Sequence, residues 1–161
     1  MNNFSKSPWS RSLKVMTISA IVVIIAGIVI AAIQFMNATI QTVRITDLVL
    51  IVILVLCLIA SVCLAPRGVS SSDKDITVHL MCGRIFIPKN DIVQIEPYSD
   101  DKGTMRICGI GGVFGYVGLY RNGQFGKFSC FATDFSRSFV IYRQAKRPLV
   151  VTVEDKAVLE L

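Results

Sequence analysis

VMTISAIVVIIAGIVIAAIQFM, residues 15–36, carries no charged side chain, and neither does LVLIVILVLCLIASVCLA, residues 48–65. At about 1.5 Å of rise per residue, these runs make helices of roughly 33 and 27 Å, against a hydrocarbon core about 30 Å thick. A chain of 161 residues is too small to cover two such helices inside a globular core. A cleaved signal peptide would hold one apolar run of about 7–15 residues, whereas here a second run follows. The two runs therefore predict a transmembrane helical hairpin. Outward from it, the layout is a basic tail (1–14), helix one (15–36), an external loop (37–47), helix two (48–65), a flexible linker (66–75) and a soluble β domain (76–161).

The charge supports that layout. The net charge is +6, yet from Asp73 to Leu161 the chain holds 12 basic and 10 acidic residues, which is nearly neutral. The excess sits beside the apolar runs, at Lys6, Arg11 and Lys14 before the first and at Arg67 and Lys74 after the second. The intervening loop balances Arg44 against Asp47. Lys and Arg flanking spans stay on the cytoplasmic side, so both termini of this multi-pass membrane protein are expected there. Phe4 and Trp9 beside Lys6 and Arg11 suit an interfacial anchor. A near-neutral domain excludes nucleic acid as the expected partner. Five cysteines, odd in number and with no CxxC pair, indicate a reducing compartment and buried thiols rather than disulfides.

Within 66–75, Ser70, Ser71 and Ser72 read as linker. Beyond it come short runs separated by turn signals, the pattern of an all-β unit. Residues 76–81 and 84–87 flank Cys82-Gly83 as a hairpin, and 91–96 and 104–108 follow. Residues 115–120 and 125–132 surround Arg121-Asn122-Gly123, where Asn-Gly predicts a tight hairpin through positive φ at both residues. Residues 138–142 and 149–153 complete about seven strands, and Glu154–Leu161 is expected to close the domain as a short helix. The result is a small barrel or sandwich.

Chemistry-bearing motifs are few. The glycines of Gly109–Gly118 precede a hairpin rather than a helix. Phe114 stands where a dinucleotide-binding loop needs its third glycine, so a structural turn is expected. His79 is the sole histidine, and no ligand cluster accompanies it, so no metal and no cofactor are expected. Cys82, Cys108 and Cys130 have no supporting spacing for a Cys–His nucleophile, and no catalytic residue is assigned. Asp100-Asp101 and Glu154-Asp155 read as a solvated turn and a helix start. Two groups of cations, Arg106, Arg121 and Lys127 near the hairpin and Arg143, Lys146 and Arg147 in one loop, are the candidate contacts for anionic lipid headgroups.

RICGIGGVFGYVGLYRNG (106–123), continuing as GKFSCFATD (126–134), together with IPKNDI (87–92), resembles the bacterial pleckstrin-homology-like domains. The resemblance covers residues 76–161 and implies a seven-stranded, partly open β-barrel with a C-terminal helix, here too short to plug the barrel fully. It implies a non-catalytic, membrane-anchored binding or scaffold module whose partners are the bilayer, a protein or a second copy. The alternative is an accessory subunit of a transporter or envelope complex.

Overall fold

The computed structural model describes residues 3–38, 40–99, 103–144 and 146–159. Two helices, α1 (Arg11–Asn37) and α2 (Gln41–Cys63), form an antiparallel hairpin. Their apolar side chains face outward nearly all round, as at Val23 (70% exposed) and Leu56 (59%). Both are long and apolar enough to cross a membrane. The external loop expected at 37–47 shrinks to residues 38–40, because Gln41–Asp47 continues the helix. Asp47 lies inside α2 and is buried, with Oδ2 lacking a hydrogen-bond partner among the described residues.

Among the described residues the remainder forms ten strands in two sheets. Strands β1 (Asn3–Lys6), β2 (Pro66–Ser71), β3 (Asp75–Leu80) and β4 (Gly83–Pro88) make an antiparallel sheet in that order. Strands β5 (Ile92–Pro97), β6 (Met105–Gly111), β7 (Tyr116–Asn122), β8 (Gly126–Ala132), β9 (Ser138–Arg143) and β10 (Lys146–Thr152) make the second, in the order β5-β9-β10-β8-β7-β6. Here β10 runs parallel to β8 and Leu149 pairs with Ser129. Residues 149–152 of β10 are buried throughout, as befits a central strand covered on both faces. Leu149 and Val151 join Val69, Ile76, Val78 and Ile87 in a core between the sheets. Val150 points the other way, into an aromatic core around Tyr98, Tyr120 and Phe128.

Several expectations are corrected. The linker at 66–75 is largely strand β2, and part of the tail at 1–14 is strand β1. The two pair with each other, Phe4 opposite Ser70 and Lys6 opposite Gly68. The β domain is therefore built from both flanks of the helical hairpin. The C-terminal helix is a single 3-10 turn, Lys156–Leu159. The segment before it is tied to β1. Glu154 donates to the Lys6 carbonyl and to Ser5 Oγ, and Asp155 donates to Ser5 Oγ. Val158 and Leu159 are buried in the core between the sheets. The β7–β8 hairpin is present, but Gly123 does not adopt positive φ. Buried Asn122 instead accepts the Gln124 N–H through Oδ1 at 2.6 Å, and Gly126 (φ 75°) makes the left-handed step. Only Cys130 of the five cysteines is buried. Cys108 is exposed because β6 is an edge strand. Asp100 and Asp101 lie outside the described residues.

Candidate functional site at the base of the helices

The lower ends of both helices are bonded into the β domain. At α2, the free carbonyls of the last turn would lack partners. Instead Met81 N–H donates to the Ala65 carbonyl and Cys82 N–H to the Cys63 carbonyl, both at 2.9 Å, so the β3–β4 turn caps the helix. At α1, Ser10 caps the helix by accepting Leu13 N–H through Oγ. Just before it, Ser7 Oγ donates to the Thr152 carbonyl (2.7 Å) and Thr133 Oγ1 to the Pro8 carbonyl (2.8 Å). One turn further in, buried Thr17 accepts Phe114 N–H (3.1 Å) and donates to the Gly112 carbonyl (3.3 Å). The glycine-rich segment is thus a structural turn docked on α1. Gly112 has φ 92°, and a Cβ there would collide with Met16.

Two cavities open at this junction. The first, about 540 Å³, has walls of Trp9, Val62, Ala65, Pro66 and Phe114, with Lys6, Arg67 and Glu154 also lining it. The second, about 420 Å³, is polar and lined by Arg67, His79, Gly83 and Arg84. Phe4, Arg67 and Met81 belong to both. The strand register explains the second. His79 pairs with Arg84 across β3–β4, and Arg67 sits at the irregularity between Pro66 and Gly68. His79 Nε2 hydrogen-bonds Ser70 Oγ at 2.8 Å, with the Phe4 ring edge-on at 5.6 Å. Burial, and then the charges of Arg84 and Arg67, hold the imidazole below its ordinary pKa, so it is neutral at pH 7. Both arginines are exposed, and the sole ion pair among the described residues is Lys146–Asp91.

The six cations singled out by sequence lie elsewhere. Arg121 and Lys127 pair across β7–β8. Arg106 is on the other face, opposite Tyr120 and over Gly111. Arg143 donates twice to the Arg147 carbonyl (3.0 and 2.6 Å), and Lys146 pairs with Asp91 at 2.8 Å, so two of these three cations close the β9–β10 turn. Because β8 and β10 are parallel, the turns preceding them emerge at one end of the sheet. The strands finish at the other end, against Ser7 and Pro8. All but Arg106 therefore cluster about 20 Å, one strand length, from the helix bases.

Sequence reading missed Arg84 as a site residue and treated Lys6 and Arg67 only as topology signals. The expected turn at Cys82-Gly83 is corrected to Met81-Cys82, with Gly83 in β4, and this one-residue shift places His79 opposite Arg84. No group of three metal-ligating side chains gathers among the described residues. Cys130 is buried, which pushes its thiol up in pKa, away from nucleophile character. His79 is bonded to a serine.

This architecture, a mostly-sheet domain with two apolar N-terminal helices, is consistent with a PH-like fold. Residues 67–158 match the family described as bacterial PH domain, and the chain belongs to that family. Its domains are generally non-catalytic binding modules. No curated protein and no solved structure matches the chain.

Proposed function

We propose that this chain is a membrane-anchored PH-like binding or scaffold module, non-catalytic, with both termini on the cytoplasmic side of a bacterial plasma membrane. One observation carries the reading. Helices of 27 and 23 residues, apolar on every side, bury only 11% and 6% of their most apolar windows within the chain. Lys6, Arg11, Lys14 and Arg67 gather at the helix ends that meet the β domain, the arrangement of a cytoplasmic face. A domain bonded to both helix bases acts on bilayer components and neighbouring proteins at high effective concentration. The free edges β4 and β6 offer strand pairing to a protein partner or a second copy. The experiment is an alkaline carbonate wash of membranes, combined with maleimide labelling of the exposed Cys108. The chain should stay in the pellet, and Cys108 should react in inverted vesicles but not in intact spheroplasts. Release by carbonate would defeat the reading.

A second reading, helices serving as an accessory subunit of a transporter or envelope complex, draws on Asp47. A buried carboxylate oxygen with no hydrogen-bond partner among the described residues, inside an apolar hairpin, is costly, and such residues mark function. Migration of the solubilised chain only within a larger complex, lost in Asp47→Asn, would favour it.

A further inference from the structure

We infer that the two adjoining cavities form one site for an anionic phospholipid of the surrounding bilayer, its net-negative phosphate headgroup held by Arg67 and Arg84 and an acyl chain lying in the apolar cavity against Trp9, Val62 and Phe114. The inference rests on the membrane-anchored reading and names the ligand of that module. The two cavities share Arg67, Phe4 and Met81, so a single molecule with a charged and an apolar part can reach both. Arg67 and Arg84 are exposed and unengaged by any carboxylate among the described residues, and both line the polar cavity beside His79. Guanidinium forks suit phosphate oxygens. Lys6 and Glu154 line only the apolar cavity and offset each other, whereas the polar cavity holds Arg67 and Arg84 with no carboxylate in its lining. A free phosphate or a phosphopeptide would leave the apolar cavity empty. That cavity is walled partly by Val62 at the foot of α2, where acyl chains are the nearest apolar material.

Trp9 is the only tryptophan in the chain and lines the apolar cavity, so its fluorescence reports on the site. The full chain, solubilised in mild detergent, is titrated with phosphatidylglycerol or phosphatidylcholine brominated on the acyl chains. Phosphatidylglycerol should quench Trp9 at a mole fraction about tenfold lower. Each of Arg67→Gln and Arg84→Gln should reduce that preference by roughly fivefold or less, as expected for one basic group near an anionic surface. Arg67→Lys with Arg84→Lys should restore part of it, and Arg121→Gln with Lys127→Gln should leave it intact. Equal quenching by the two lipids, from a chain that still resists carbonate, would overturn the site while leaving the anchor standing. Failure of either brominated lipid to quench Trp9, while inorganic phosphate still shifts the His79 ring protons, would overturn the lipid assignment. Unequal quenching that survives both glutamine substitutions would overturn the role of the arginines.

Discussion

The two ends of the six-stranded sheet solve the same problem, finishing strands without leaving polar groups stranded, in opposite ways. At the end against the helices, hydroxyl groups are buried and bonded across long sequence separations. Ser5, Ser7, Thr17, Thr133, Ser138 and Thr152 are all under 8% exposed, and each has a hydrogen-bond partner. At the far end, short turns close locally, and charged side chains stand in water. Arg143 bonds the carbonyl four residues on, and Asn122 the N–H two residues on. The helix end is therefore a cooperative joint of buried hydroxyls, while the far end combines local turns with a surface tie from Asp91 to Gln144 and Lys146. Substitutions should be costly at the first and tolerated at the second.

Thr152→Val tests the joint hardest. Thr152 Oγ1 accepts from Thr133 N–H (2.9 Å) and Asp134 N–H (3.1 Å), lies 2.9 Å from Ser138 Oγ, and is fully buried. Valine keeps the shape but leaves two backbone donors without partners, each worth about 1–3 kcal/mol. A loss of about 2–5 kcal/mol is expected in the denaturant midpoint of the β domain, followed in detergent by near-UV circular dichroism. Next comes Gly112→Ala. The residue has φ 92°, and the added methyl meets Met16, so about 1–3 kcal/mol should be lost. Combining it with Met16→Ala should recover the steric part and leave the backbone part, a coupling that a double-mutant cycle reads directly. If Gly112→Ala proves neutral, α1 is not docked on this turn.

How much of this joint could be read from the residues follows from the same contrast. The far-end turns and the hairpins β3–β4 and β7–β8 were legible because their signals are local. The apolar runs were legible because water-excluded length is visible in composition. Strands β1 and β2 were not. NFSK and PRGVSS are short and polar; β1 becomes a strand by pairing with β2 across the whole helical hairpin, and β2 lies between β1 and β3. The serine run that reads as linker supplies β2 with Ser70 and Ser71. The C-terminal segment is likewise held from a distance, with the Glu154 and Asp155 N–H groups on Ser5 Oγ and a single 3-10 turn after them. At the candidate site, the turn falls at Met81-Cys82, one residue before the Cys82-Gly83 turn read from the sequence, and that shift is what sets His79 opposite Arg84 rather than Phe86. Arg67, Lys6 and Trp9 reach the cavities only once the two flanks close.

At the far end the expected effects are small. Lys146→Gln removes an exposed ion pair with Asp91, for which about 0–1 kcal/mol is typical. Arg121→Gln and Lys127→Gln relieve a like-charged cross-strand pair and should fall within about ±0.5 kcal/mol. Thermal melts at low and high salt check both. A loss above about 2 kcal/mol from any of the three would mean that the far end is as integrated as the joint.

The smallest effect is also the most local. His79 is the only histidine, so titration of an imidazole reports on the helix end alone. Its folded pKa lies below the ordinary 6.5, first through burial and then through Arg84 and Arg67. The unfolded chain therefore binds this proton more readily than the folded one. The contribution is complete above pH 6.5, declines as pH falls from there to the folded pKa, and is flat below it. His79→Gln should remove that slope and nothing at neutral pH beyond the Ser70 hydrogen bond. An anion between the two arginines opposes their repulsion of the imidazolium. Adding phosphatidylglycerol should therefore raise the His79 pKa, followed by NMR of the ring protons, whereas phosphatidylcholine should not. A His79 pKa that responds equally to both lipids would mean that the arginines face water rather than a bound headgroup, and the helix end would then be a joint without a ligand.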